Sequence, residues 1–373
     1  MSKTKKILIF LIHPAKFHQF RVTVNTLIKK GHEVDIIIIG RDILEELVKN
    51  EGWNYRIIFP KGRKWKGVNV LISAALLFFP TIFKLYFLSK PKKYDLFLTD
   101  DLLSYVGIVR RTPTIYFTDD DYSAVPQALL YLIPATHVFA PNICYLGRFE
   151  KKVIGYYGYK ALAHLHPNNF KPDKTKIHKS LLENKPFFFI RTVMANSKHD
   201  NGKSGIDDAL LRKLVSRLEK EGIVIINSER PLPDDLLKYK LDFNKNDIAH
   251  YLYFAKIVIG DSTTMSAEAA VLGTPSIEID DWYSDFKQYD ELCNKYKLLQ
   301  GFNQKDVDNI FSLIEEYLKM DNIHEVFQSR RDKMLKEKID VSAFLTWVVE
   351  YYPQSISEFK NNPNVQLKFK TKI

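Results

Sequence analysis

The sequence predicts an α/β protein of two Rossmann-like, doubly wound domains facing a cleft, with a C-terminal helix packing back across them, and three observations predict it. The chain has 373 residues, more than one average domain of roughly 100–150 residues holds and about right for two. Its apolar runs, such as Ile7–Ile12 and Val34–Ile39, lack polar alternation, as strands covered by helices on both faces do. The same strand, helix, strand order then recurs on either side of a polar stretch, 167–186, that carries three prolines and no sustained apolar period. The resulting domain plan is 1–166, a linker 167–186, 187–340, a crossing helix 341–359, and a polar tail 360–373 expected to fray.

In the first half, Ile7–Ile12 reads as a strand, and Phe20, Val24, Leu27 and Ile28 recur at helical spacing. Gly31 ends that helix and Val34–Ile39 follows as a strand. The strands Asp95–Thr99 and Thr114–Thr118 run straight into acids, Asp100-Asp101 and Asp119-Asp120-Asp121. Acids therefore sit at carboxyl ends of strands, where open α/β sheets form their ligand crevices. The second half restarts with Phe187–Ile190, a helix striped by Leu210, Leu214 and Leu218 that stops at Gly222, and a strand Ile223–Ile226. Ile257–Ile259 leads into Gly260-Asp261-Ser262-Thr263-Thr264 and a helix to Leu272, which Gly273 stops before the strand Ser276–Ile279.

A formal net charge of +11 makes a field that attracts anions, whether nucleotides, nucleic acid or an acidic membrane. Two cysteines without paired spacing, Cys144 and Cys293, argue against a disulfide framework or a Cys-type zinc site and fit a reducing cytoplasm. Lys3, Lys5, Lys6 and the short apolar run before His13-Pro14 read as a first strand, since no small-residue cleavage site follows. The longest apolar run, Val70–Phe83, falls short of the ~20 residues of a spanning helix and contains Pro80. With Lys61, Arg63, Lys64 and Lys66 before it, the stretch 61–88 has two readings: a core helix behind a basic loop, or a surface resting on an anionic membrane. The expected location is cytoplasmic, peripheral to the inner membrane face on the second reading.

A strand that ends in Gly-Asp-Ser-Thr-Thr and opens a helix gathers backbone N–H groups, hydroxyls and the positive end of a helix dipole, which suits a pyrophosphate held by Ser262, Thr263 and Thr264. Glu268 lies on the same helical face as Thr264 and is flanked by Ala267, Ala269, Ala270 and Val271. A buried carboxylate needs partners, and two ribose hydroxyls would supply them. The plainer alternative is an ordinary helix cap followed by a solvated acid. Arg191, leaving the first strand of the second half, would stabilise a departing diphosphate, so that no metal or other cofactor is required. Lys198, His199 and Lys203 in the next polar loop read as solvated. In the first half, His13 follows the first strand and His18 falls near the start of the first helix. Either imidazole could deprotonate an attacking hydroxyl, or serve as a loop hydrogen-bonder and a helix-surface residue. Asp119 and Asp121 spell an Asp-x-Asp, a pattern too common in loops to assign a metal.

Several segments in order carry a resemblance: Ile259 to Pro275, Gly155-Tyr-Tyr-Gly-Tyr-Lys-Ala-Leu-Ala-His-Leu-His-Pro, His13-Pro14-Ala15 and Asn227-Ser-Glu-Arg230. Together they resemble the domain-of-unknown-function family numbered 354, over about residues 7 to 350. That resemblance implies the GT-B superfamily of nucleotide-sugar glycosyltransferases and non-hydrolysing UDP-N-acetylglucosamine 2-epimerases. The epimerases carry a Ser-Gly-Gly turn with a ribose-binding glutamate six residues after the serine; Ser262 and Glu268 match the spacing, while Thr263-Thr264 replace the glycines. Asp100 and Asp119 stand where epimerases place proton-handling carboxylates. His18, in His-Gln-Phe, is similar to the His-Val-Phe of the lipid-linked N-acetylglucosaminyltransferase of cell-wall synthesis.

The expected function is a metal-independent GT-B glycosyltransferase, with UDP as the favoured nucleotide, that moves a sugar from a nucleotide-diphosphate sugar to a glycan or lipid-linked acceptor in surface polysaccharide synthesis. The catalytic candidates are His13, His18, Asp100 and Asp119. Donor-binding candidates are Arg191, Ser262, Thr263, Thr264 and Glu268. The nearest rival is a nucleotide-sugar 2-epimerase using Asp100 and Asp119. A rival of another class, a non-catalytic binder of anions, nucleic acid or membrane, draws on the charge alone; no nucleic-acid partner is expected, because aromatics are not interleaved with Lys and Arg in stacking patterns.

Overall fold

The computed structural model describes residues 3–40, 43–60, 62, 70–119, 128–182, 185–193, 205–281 and 287–371, the side chains of 70–75 and 128–129 excepted. The chain divides into two compact units, Met1–Asn169 with Lys338–Lys372, and Phe170–Glu337.

The first unit is built on seven parallel strands: β1 (Lys6–Leu11), β2 (Glu33–Ile39), β3 (Tyr55–Phe59), β4 (Leu96–Thr99), β5 (Thr114–Phe117), β6 (His137–Pro141) and β7 (Val153–Tyr156). Their order is β3-β2-β1-β4-β5-β6-β7. The order reverses between β1 and β4, and such a switch point opens a crevice at the carboxyl ends of the strands. Helices α1 (Pro14–Lys29), α2 (Leu44–Asn50), α3 (Val70–Ser89), α4 (Leu103–Arg110), α5 (Ala128–Leu132) and α6 (Leu162–Leu165) connect or follow them. Ile7 to Leu11 and Ile36 to Ile39 are buried as continuous runs, the burial that their unbroken apolar character predicts. On α1, Phe17, Phe20, Val24 and Leu27 form the buried stripe, and Gly31 supplies the positive φ of 85° that ends the helix.

The second unit holds five parallel strands, β8 (Phe187–Thr192), β9 (Ile223–Ser228), β10 (Ile257–Gly260), β11 (Ser276–Ile279) and β12 (Leu299–Phe302), in the order β12-β11-β10-β8-β9. Its switch point lies between β8 and β10. The helices are α7 (Asp208–Leu218), α8 (Ile248–Phe254), α9 (Thr263–Leu272), α10 (Lys287–Asp290), α11 (Val307–Lys319) and α12 (Ile323–Glu337). Leu210, Leu214 and Leu218 are buried on α7 at the spacing read from the sequence. The stretch 170–182 packs on this unit: Asp173 N donates to His250 Nδ1 at 3.0 Å, His178 N donates to the Tyr251 hydroxyl at 3.1 Å, and Ile177 and Leu181 are buried.

The last segment returns to the first unit as α13 (Val341–Glu350) and α14 (Gln354–Asn361). Where one helix was expected, there are two, because Pro353 has no N–H to give and disfavours helix in the residue before it. Its anchor is the Gly155–Pro167 segment. Gln366 is wholly buried, accepting from Tyr157 N at 2.7 Å and donating to the Gly155 carbonyl at 3.1 Å. Asp340 caps α13 at Ala343 N and takes the amides of Asn168 and Asn169. Residues 363–369 form a 3-10 helix, so the described part of the tail expected to fray is folded, with Gln366 as its buried residue.

Candidate functional site

In the second unit, polar groups converge on the switch point between β8 and β10. Arg191 and Gly260 lie side by side in register. A Cβ on Gly260 would stand 2.9 Å from Arg191 Cβ and 3.0 Å from its carbonyl oxygen, so glycine permits this approach. The carboxylate of the next residue, Asp261, accepts from Val193 N at 2.7 Å and Ile206 N at 3.1 Å, tying the exit of β8 to the approach of α7. Burial pushes its pKa up to about 6; those N–H groups oppose the shift, and the charge of Asp280 adds to it.

Ser262 is the N-cap of α9 with φ −113° and ψ 96°, and its side chain makes no capping hydrogen bond. Ser262, Thr263 and Thr264 are half-buried, and the Tyr289 hydroxyl donates to the Thr263 carbonyl. Glu268 is buried on the same helix among Ala267, Ala269, Ala270 and Val271, the surroundings its sequence context predicts. Its charge acts on Arg191, as do those of Glu229 and Asp261, all three opposing the depression that burial imposes on the guanidinium pKa. Arg191 donates through one terminal nitrogen to Asn227 Oδ1 and through the other to Glu229. Its Nε is buried and has no partner among the described residues.

The Asn-Ser-Glu-Arg segment at the end of β9 thus frames Arg191. Ser228 Oγ accepts from Thr192 Oγ1 at 2.8 Å and donates to the Arg230 carbonyl at 2.6 Å, while Arg230 pairs with Asp208 and donates to the Ile206 carbonyl at 3.1 Å. On β11, in register with Gly260, Glu278 is wholly buried. Burial, and then the neighbouring Asp280, raise its pKa well above the ordinary glutamate value.

In the first unit, the candidates sit after β1, β4 and β5. His13 is the N-cap of α1, exposed, with Nδ1 accepting from Ala15 N at 3.1 Å; the neutral ring then carries its proton on Nε2. His18 is half-buried, its ring 5.3 Å from Phe17 edge-on and 5.2 Å from His164. Asp100 is the first residue past β4 and half-buried, and Asp101 bonds Leu102 N at 2.7 Å in a turn. Asp119 takes the ammonium of Lys16 at 3.2 Å and that of Lys160. Burial works to raise its pKa, but Lys160 and Lys16 prevail and hold it far below the usual carboxylate range. An acid held there stays ionised and is a weak proton acceptor. Asp120, Asp121, Lys198, His199 and Lys203 lie outside the described residues.

Sequence reasoning did not single out Lys16, Lys160, Tyr156 or Glu278. The Gly-Tyr-Tyr-Gly-Tyr-Lys segment held the signal for Tyr156 and Lys160, and an acid between Ile277 and Ile279 in an apolar strand held that for Glu278. The Tyr156 hydroxyl is buried without a partner among the described residues, and burial, then the charge of Asp119, push its pKa well up.

Two all-parallel α/β units of this kind are the architecture of the GT-B class. Solved structures bear this out. The S. aureus MnaA–UDP complex superposes with a TM-score of 0.66 at 14% identity, covering 95% of this chain and 98% of that one. The UDP-GlcNAc 2-epimerase of Methanocaldococcus jannaschii gives 0.60 at 13%, covering 85% and 93%. The spinosyn rhamnosyltransferase SpnG with its aglycone gives 0.56 at 13%, covering 92% and 99%. The fold is therefore GT-B, shared by epimerases and glycosyltransferases alike. No protein-family model matches the chain, and no curated protein does, so the likeness to family 354 rests on its motifs.

Proposed function

We propose that this chain is a GT-B glycosyltransferase of family 354 whose second unit binds a nucleotide-diphosphate sugar at the switch point between β8 and β10. The observation that carries the reading is the meeting of Arg191, whose buried Nε has no partner among the described residues, and the start of α9, where Ser262 makes no side-chain cap, with Glu268 on the same helix. The α9 amides and the hydroxyls of Ser262, Thr263 and Thr264 would hold the diphosphate, and Glu268 the ribose hydroxyls. Arg191 would stabilise the charge that develops on the leaving nucleotide. UDP is the favoured base carrier, and a glycan or lipid-linked molecule of a surface polysaccharide the acceptor.

Of the two imidazoles, His18 is the better general base, because the Nδ1 lone pair of His13 is committed to the cap of α1. The epimerase reading needs carboxyl groups that give and take protons. Asp119, pinned by two lysines, is poorly suited to that work, which favours transfer. A thermal-shift screen of UDP-, GDP-, CMP- and dTDP-sugars tests the donor site, since a ligand of the folded state raises its melting temperature. One class of nucleotide-sugar should stabilise the protein and Arg191→Lys should abolish the effect; no shift with any of them refutes the reading. Incubating the protein with that donor and no acceptor decides between the activities, since conversion of the free donor to its 2-epimer would replace transfer by epimerisation.

A further inference from the structure

The helix α3 is apolar on two faces, and only one is covered by the protein. Leu77, Thr81 and Leu85, a turn apart from each other, are buried against the first unit's core. On the other face Phe79 is 77% exposed and Phe83 65%, with Leu76 and Phe87 about half exposed. Val109 and Ile108 on the neighbouring α4 are also exposed, and α3 and α4 together bound a groove of about 720 Å³ lined by Phe79, Pro80, Phe83, Phe87, Val106 and Val109. A continuous open patch of large side chains marks a surface that meets something else.

Charge identifies the occupant. Residues 61–94 contain eight Lys and Arg and no Asp or Glu. Among those described, Lys84, Lys90 and Lys93 are exposed, as is Arg111 beyond α4. The Lys90 ammonium lies 5.9 Å above the Phe87 ring, on the apolar face itself, while that of Lys84, on the same helix, lies 4.1 Å above the Phe59 ring and 3.5 Å from the Ile58 carbonyl. We propose that the outer face of α3, with the end of α4, docks on an anionic phospholipid membrane, its phenylalanines entering the acyl boundary while the flanking lysines meet the headgroup phosphates. A second copy of this chain would set two lysine-rich faces against each other, and the repulsion disfavours it. Among the described residues no helix is long and apolar enough to cross a membrane, so α3 would lie in the interface. This inference stands independently of the donor site.

Co-sedimentation of the full-length protein with sucrose-loaded vesicles tests it. Partitioning onto phosphatidylcholine vesicles containing about one-third phosphatidylglycerol should exceed that onto phosphatidylcholine alone by about tenfold or more, and should fall steeply with added salt. Phe79→Ser with Phe83→Ser should cut binding to the anionic vesicles by about tenfold or more, and Lys84→Glu with Lys90→Glu by a similar factor, through lost apolar burial and lost attraction respectively. Circular dichroism should show both variants folded, because the substituted side chains are exposed. Absence of vesicle binding, equal binding to neutral vesicles, or unchanged binding by folded variants would overturn the proposal. So would a dimer of the wild type in sedimentation velocity that the phenylalanine variant abolishes, since a second copy would then cover the face.

Discussion

Asp119→Asn removes the charge that Lys16 and Lys160 share while keeping the shape of the side chain. The side chains are 17%, 10% and 18% exposed for Asp119, Lys16 and Lys160 respectively, so solvent screens the cluster little. Deleting one partner of a buried ion pair costs about 3–5 kcal/mol, because the other charge is left desolvated without compensation. Here two ammonium groups are left facing each other, while the remaining exposure gives them some relief, and about 3 kcal/mol is the expected loss at neutral pH. In a unit of about 200 residues that lowers the melting temperature by roughly 6–12 °C. The pH dependence has a definite sign. Lys160 and Lys16 hold the folded-state pKa of Asp119 below its unfolded value near ~3.9, so the stabilisation is complete above that value and is lost as pH falls toward the folded pKa. Urea unfolding of the two proteins at a series of pH values measures the gap directly. A difference under about 1 kcal/mol at pH 7, or one that does not narrow in acid, would refute the assignment of Asp119 as the anchor of both lysines.

Three further outcomes are expected. Glu268→Gln should weaken the nucleotide-sugar that the thermal screen selects by about 10–100-fold in titration calorimetry, the worth of charge-assisted hydrogen bonds to the ribose, with the fold intact. The Asp261 carboxyl, raised to about 6 when folded, contributes stability fully present below about pH 4 and lost as pH rises through 6, a change of roughly 3 kcal/mol that Asp261→Asn should remove from the stability–pH curve. Gln366→Ala should cost about 1–3 kcal/mol in chemical denaturation by leaving Tyr157 N and the Gly155 carbonyl without their buried partner, and should make residues 338–372 more open to limited proteolysis.

Strands and helices with one unambiguous period were legible in the sequence. β1, β2 and β10 are unbroken apolar runs, and α7 carries a leucine stripe, so local pattern and tertiary burial agree. β3, β6, β7 and β12 escaped notice because their burial comes from neighbours: Tyr55–Phe59 carries Arg56 on the edge strand, and Val153–Tyr156 and Leu299–Phe302 each contain a glycine and polar or tyrosine residues. The donor site proposed for the second unit could be drawn from the sequence because one continuous turn, Gly260 to Glu268, carries most of its residues. The lysine cluster of the first unit was not, since Lys16, Asp119 and Lys160 come from three distant segments that only the sheet order brings together. Neither Lys16, on a helix of mixed character, nor Lys160, in a tyrosine-rich loop, differs from a solvated lysine until Asp119 is placed beside it.

Charge at the proposed donor site raises a difficulty that the geometry resolves. A diphosphate entering the second unit would approach Asp261 and Glu268, whose charges already act on Arg191, with Asp280 and Glu278 acting in turn on Asp261 and on each other. Burial disfavours the charge on Glu278, and the Asp261 carboxylate is directed to Val193 N and Ile206 N, so the repulsion is smaller than the count of acids suggests. Arg191 meanwhile is tied to Glu229, whose side chain is 51% exposed and therefore readily rehydrated when it lets go, while the guanidinium itself is 12% exposed. Exchanging it for a buried diphosphate is therefore inexpensive, and Glu229 can turn to water when the ligand arrives. Asn227, which also receives the guanidinium, keeps the side chain in place through that exchange. On this reasoning Glu229→Gln should tighten donor binding, by relieving Arg191 of a competitor, where Asn227→Ala should weaken it by loosening the guanidinium. Calorimetric titration of both variants with the selected donor distinguishes the two roles, and a Glu229→Gln protein that binds more weakly would mean that the carboxylate itself belongs to the donor site.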